Sequence, residues 1–220
     1  MEKYSNRADL IAALSDDLTP VARVKPRDGM LLIVFATLAA ALASIAIFEF
    51  WPGMLNGEAS AFFWITNGLL AVLGSASMVG LVGGALPRVG TRGNAPFWSA
   101  AMLAVMPIAA LITLLSVEAG HDHATSFADP AVSYWECAAY GLCASVLVGL
   151  AAIVWLRRGA PVSIERSAWL TGLSAGAFGS LAYGITCPLD GVGHVGIVHV
   201  APVLISALVA RIVVPPLIRW

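Results

Sequence analysis

Tyr183-Gly-Ile-Thr-Cys-Pro-Leu-Asp-Gly-Val-Gly-His194 joins two long apolar runs by what reads as a tight turn. Cys187 closes the first run, Pro188 stops its helix from continuing, and Gly191 and Gly193 let the chain reverse. The stretch therefore predicts two antiparallel helices. It also sets a thiol, a carboxylate (Asp190) and an imidazole (His194) at one end of that pair. A cysteine taken alone reads first as a small buried hydrophobe. A second thiol, Cys137, changes the weighing.

Working outward, the 220 residues are 59% hydrophobic and only 11% charged, with a mean hydropathy of +0.86. A soluble core of this size cannot hide so much apolar surface, which points to a membrane protein. Three cysteines fit neither a disulfide-dense secreted scaffold nor a zinc finger. Net charge, −1, says nothing about nucleic acid. The first apolar run is long enough to span rather than be cleaved, so no signal peptide is read.

Six apolar runs, free of Asp, Glu, Lys and Arg, cover Gly29–Phe48, Ala59–Leu86, Ala95–Val117, Cys137–Leu156, Ser167–Leu189 and Gly191–Ala210. Each reaches the roughly 20 residues needed to cross a hydrocarbon core ~30 Å thick. The expected fold is all-α: a polytopic membrane bundle of six transmembrane helices over 29–220, preceded by a short cytoplasmic segment over 1–28.

All twelve Lys and Arg fall on one side of such a bundle. Lys3, Arg7, Arg23, Lys25 and Arg27 precede the first span, Arg88 and Arg92 fill the second loop, and Arg157, Arg158 and Arg166 the fourth. Arg211 and Arg219 follow the last span. The positive-inside rule then places both termini in the cytoplasm. The outer side is acidic (Glu49, Glu58, Glu118, Asp122, Asp129, Glu136, Asp190) and carries His121, His123 and His194. Trp51 and Trp135 sit where an interfacial aromatic belt belongs.

Within residues 1–28, Leu10, Ile11, Leu14 and Leu18 fall on one face of a short helix, with Asp9, Asp16 and Asp17 around the remainder. So short a helix is marginal in water and needs something against its apolar face. The candidates are a protein partner and the membrane surface. The acidic flanks count against anionic lipid.

The fourth and fifth runs carry stripes of small residues: Cys137, Gly141, Ser145 and Gly149 on one, Gly172, Gly176, Ser180 and Gly184 on the other. Such stripes let helix backbones approach closely in lipid. Pairing Gly149 with Gly172 at the inner end and moving outward 12 residues, about 18 Å, brings Cys137 level with Gly184. Cys187 then lies within about one turn of Cys137. Cys143, about 240° round the helix and about 9 Å deeper, reads as packing.

Two nearby thiols could form a disulfide or hold a soft metal ion. No metal or other cofactor is required by anything in the sequence. His194, or His121 and His123, could complete a metal site, although loop histidines are more often simply solvated. His199, roughly a turn inside the last run, is an intramembrane ionisable group, which is a functional signal or a hydrogen-bonded neutral side chain. No phosphate loop, nucleophile elbow or His-Glu-x-x-His is present, so no enzyme is read. Pro107 is expected to kink the third run.

The opening Asp9-Leu-Ile-Ala-Ala-Leu-Ser-Asp-Asp-Leu-Thr-Pro-Val21, the six runs, the outer Cys137, the Cys187-Pro188 turn and the closing Arg219-Trp220 together resemble the NrsF-like family of membrane anti-sigma factors. The resemblance covers the whole chain through short motifs. It implies that a cytoplasmic amino-terminal segment holds an extracytoplasmic-function sigma factor at the bacterial inner membrane, without direct nucleic-acid binding. It further implies that a periplasmic cysteine pair senses heavy-metal stress. On that basis Leu10, Ile11 and Leu14 map to the sigma-binding motif and Cys137 and Cys187 to the sensor pair. Cys143 has no counterpart, which leaves other thiol pairings open. The rival readings are a small transporter or metal permease and an assembly scaffold.

Overall fold

The computed structural model describes residues 7–16, 24–86, 93–116 and 134–218. These residues form helices α1 (Arg7–Asp16), α2 (Pro26–Phe48), α3 (Gly53–Asn56), α4 (Ala61–Gly84) and α5 (Ala95–Ser116). Then come α6 (Tyr134–Leu156), α7 (Ile164–Gly184), a π-helical turn at His194–Val198 and α8 (Ala201–Ile218). No strand occurs among the described residues. His121, His123, Leu18 and the closing Arg219-Trp220 lie outside them.

Among the described residues, five segments are long and apolar enough to cross a membrane: Pro26–Phe48, Ala61–Gly84, Ala95–Ile112, Trp135–Leu156 and His194–Ile218. Their outward faces carry large apolar side chains, among them Phe35, Leu42, Met102, Val146 and Leu208. In water such a surface would drive aggregation, whereas lipid tails solvate it without cost.

The fifth expected run, α7, is built differently, and it stands apart from these five. Fifteen of its 21 residues are buried, and α6, α8, α4 and α2 all pack on it. A helix enclosed by other helices needs no bulky lipid-facing side chains. It gains from Gly, Ala and Ser, which bring neighbouring backbones into contact and lower its hydropathy.

Glycines decide which neighbour meets which face. A Cβ on Gly176 would sit 2.6 Å from Val203 Cα, and Gly172 lies equally tight on Ala207, so that stripe faces α8. Gly179 is the α6 contact, with its would-be Cβ 2.6 Å from Ser145 Cα; Gly149 meets Ala175. The expected pairing of Gly149 with Gly172 is thus displaced by about one helical turn. Gly172 and Gly176 pack on α8 rather than α6, while Ser180 of the same stripe does meet Gly141 of α6; spacing shows that a face is small but not what it touches. The corrected register has a consequence. Ser145 opposes Gly179, and eight residues outward along each chain stand Cys137 and Cys187.

The segment between α7 and α8 is not a tight turn. Helix α7 stops at Gly184, three residues before Cys187, and 187–191 runs without helical or strand structure into the π-helical turn. Pro107 lies inside α5, which continues through it, and α8 runs past Ala210 through Pro215 and Pro216 to Ile218.

Candidate thiol and imidazole site

Three elements meet at the end of the bundle where α7 terminates. The first turn of α6 supplies Cys137, the extended loop supplies Cys187, and the π-helical turn opens with His194. Fifty residues apart in sequence, the two sulfurs lie 3.9 Å from one another. Cys187 Sγ is 3.4 Å from His194 Nε2, and the three potential donor atoms all lie within 4.8 Å of one another. Cys187 and His194 are completely buried, and Cys137 is half-buried. All three cysteines are free thiols.

Tyr183, in the last turn of α7, donates its hydroxyl to Cys137 Sγ at 3.3 Å. Its ring packs with Phe48 and Tyr140, centroids 5.5 and 5.6 Å away, and forms an aromatic collar beside the thiols. Nothing in the apolar spacing marks Tyr183. The available signal is its place four residues before Cys187, one helical turn had the helix continued.

His199 stacks edge-on against His194, ring centroids 5.1 Å apart, and is itself buried. Neither of its ring nitrogens has a hydrogen-bond partner among the described residues, and the same holds for Asn67 Oδ1 and Thr66 Oγ1. Asn67 Oδ1 and His199 Nδ1 both border Gly184, whose absent side chain leaves them room.

Asp190 is not one of the clustered donors. Its carboxylate accepts the Ser60 backbone N–H at 2.7 Å, while Ser60 Oγ donates to the Asp190 carbonyl at 2.9 Å. Ser60 is also the N-cap of α4, with Oγ accepting the Phe63 N–H at 3.2 Å. One acidic residue thus fastens the cysteine loop to a helix N-terminus, where negative charge is favoured.

Cys143 is exposed on α6, so it takes no part in the cluster and does not pack in the interior either. At the amino terminus a helix, α1, forms over Arg7–Asp16, short of Leu18. Ile11 and Leu14 are exposed, and no other described helix packs along it.

At the opposite end of α7 the polar contacts are of another kind. Arg211 pairs with Glu165 at 3.3 Å and lies over the Trp169 ring, and Arg166 donates to the Gly93 carbonyl. These are exposed contacts, worth little to stability.

The cluster can follow two chemistries. The thiols can be oxidised together, or they can be deprotonated by a soft cation that binds both sulfurs. Among known protein families, the one described as NrsF, negative regulator of sigma F, matches residues 14–220. No curated protein and no solved structure matches the chain.

Proposed function

We propose, from the premise that this chain belongs to the NrsF family of negative regulators of sigma F, that it is a membrane-bound anti-sigma factor. Its partner is an extracytoplasmic-function sigma factor, held at the bacterial inner membrane by the amino-terminal helix. Release follows when Cys137 and Cys187 meet heavy-metal or thiol stress on the outer face. In this reading α7 is a sixth span, both termini are cytoplasmic, and the activity is regulatory rather than enzymatic.

The observation that carries the reading is the family match over 207 of the 220 residues, which takes in Leu14 and both thiols. The exposed Ile11 and Leu14 support it, since an apolar face without a packing neighbour suits a groove on another protein. So does the arginine distribution, which favours placing α1 inside and the thiols outside. Sequestration is stoichiometric: α1 covers a sigma surface otherwise needed for polymerase. The outer event matters only if it changes that affinity, and a tenfold loss takes about 1.4 kcal/mol of coupling.

Co-purification tests this directly. The detergent-solubilised chain should retain a sigma factor, and the Leu10→Asp, Leu14→Asp double variant should lose it while still inserting into the membrane. Full retention by that variant would sink the docking assignment.

The unpaired ring nitrogens of His199, with Asn67 Oδ1 and Thr66 Oγ1, give some support to a second reading, a small metal permease, because buried polar groups in spans often mark a path. That reading requires flux across liposomes containing the purified chain. An absence of flux over a panel of metals leaves the regulator.

A further inference from the structure

We propose that His194 is the third ligand of a preformed Cys2His centre, with Cys137 and Cys187, selective for a soft divalent cation of the zinc and cadmium class. This deepens the sensor reading, and rests on it for what cation capture does but not for capture itself.

The argument begins with distances. Zinc binds thiolate sulfur at about 2.3 Å and imidazole nitrogen at about 2.0–2.1 Å, so tetrahedral geometry sets two sulfurs about 3.8 Å apart and sulfur about 3.6 Å from nitrogen. A flat three-coordinate arrangement widens these to about 4.0 and about 3.8 Å. The observed separations are 3.9 Å between sulfurs and 3.4 Å from Cys187 Sγ to His194 Nε2. For these two pairs, seating a cation asks for shifts of a few tenths of an ångström, and the third pair, Cys137 Sγ and His194, lies within 4.8 Å. A disulfide asks for more, because its S–S bond of about 2.05 Å requires the sulfurs to close by nearly 2 Å. Disulfide formation would also leave His194 without a role in the cluster.

Charge selects among cations. Two thiolates and a neutral imidazole carry two negative charges, which a divalent ion cancels and a monovalent ion does not. With Cys187 and His194 fully buried, residual charge is costly, so neutrality favours the divalent ion. Sulfur donors disfavour hard ions such as magnesium and calcium. The proton balance is simple. Two S–H bonds break, two metal–sulfur bonds form, and two protons leave for solvent, with no electron transferred.

The surroundings orient the donors as metal sites require. The Tyr183 hydroxyl fixes Cys137 Sγ, and the edge-on ring of His199 braces His194. His194 also opens a π-helical turn, a local irregularity that recurs at functional sites because it re-aims a side chain. Half-buried Cys137 gives the cation its point of entry.

The test titrates the reduced, detergent-solubilised full-length chain with cadmium chloride. We expect one Cd2+ per chain and a saturating thiolate-to-cadmium ultraviolet band. Cys137→Ser and Cys187→Ser should abolish the band, while Cys143→Ser and the His121→Gln, His123→Gln pair should leave affinity unchanged. His194→Gln should weaken binding at least tenfold and move the cadmium-113 resonance. His194→Cys, which restores a third soft donor, should recover affinity, a rescue that a merely structural histidine would not permit. Undiminished binding by a folded His194→Gln chain would overturn the assignment, as would no Cd2+ uptake by the natural chain. A sigma-factor pull-down on the same preparation separates the two proposals, because cation binding without sigma capture defeats only the regulator, and the reverse only the Cys2His centre.

Discussion

Around Cys187 the side chains are buried, the donor atoms sit within bonding reach of a common centre, and an aromatic collar and a fastened loop hold them there. Along α1 the reverse holds: Ile11 is 58% exposed and Leu14 61%, with no other described helix along it. The difference is one of where the ordering cost falls. A cluster organised by the fold can respond to a small ligand without rearranging much, whereas a lone amphipathic helix needs its partner to be ordered. A chain that detects at one end and docks at the other, as proposed above, would benefit from that asymmetry.

The most severe way to break the comparison is to remove what organises the rigid end. Gly179→Leu drives a side chain into the Ser145 backbone, where even a Cβ would stand 2.6 Å from Cα. Overpacking of this kind costs about 3 kcal/mol or more when backbone cannot yield. We expect a large fall in thermal midpoint in detergent, together with loss of oxidative crosslinking between Cys137 and Cys187. Gly68→Leu on α4, where a Cβ meets nothing within 4 Å, should change neither. Normal crosslinking in Gly179→Leu would refute the register that aligns the two thiols.

The next largest effect lies at the loose end. Truncating a hot-spot apolar anchor costs about 2 kcal/mol, roughly thirtyfold in affinity, and burying two aspartates instead costs more. Leu10→Asp with Leu14→Asp should therefore reduce sigma binding by at least that factor. The thermal midpoint of the bundle should not move, because no described side chain of α1 belongs to its buried core. A large drop in that midpoint would mean that α1 is part of the packed structure after all.

Third comes the switch. Cys137→Ser and Cys187→Ser should each abolish reporter induction by thiol-reactive metals, and Cys143→Ser should leave it near normal. Oxidation should join Cys137 to Cys187 and neither to Cys143. A full response in the Cys137→Ser, Cys187→Ser double variant would end the sensor reading and leave the docking claim standing by itself.

Much of this asymmetry is legible in the sequence, and what is not has physical reasons. Apolar runs free of charge mark helices because lipid forbids unpaired backbone, so five of the six expected segments meet the length and hydropathy of a span. The sixth, α7, dilutes its hydropathy because its neighbours are helices rather than lipid. Four-residue spacing brought Cys137 and Cys187 to one depth, yet missed by a turn. Gly172 and Gly176 pack on α8, whereas Ser180 meets Gly141 of α6 and the closest approach to α6 is made by Gly179, outside the stripe. Tyr183 and the π-helical turn left no periodic trace, since each acts through one contact rather than a face. Asp190 was visible as a carboxylate beside a thiol. Its partner was not, because Ser60 lies 130 residues earlier in the chain.

That Asp190–Ser60 fastening carries the smallest effect and sharpens the comparison most finely. If the loop bearing Cys187 is held partly from α4, loosening the fastening should relax the rigid end without unfolding it. Asp190→Asn keeps the shape of the acceptor and removes its charge. The loss of one charged acceptor at a helix N-terminus is worth about 0.5–1 kcal/mol. Asp190→Ala also leaves the Ser60 N–H without its partner, for about 1 kcal/mol or somewhat more. A difference near 1 kcal/mol corresponds to about fivefold faster local opening. Hydrogen exchange at the Ser60 amide and through 187–194 should show it, increasing from the natural chain through Asp190→Asn to Asp190→Ala. Exchange in the middle of α7 should stay unchanged, and so should sigma capture in unstressed cells. If neither variant alters exchange, the thiol cluster and its aromatic collar hold the loop unaided. If both accelerate exchange deep into α7, the fastening is part of the core rather than a clip on its edge.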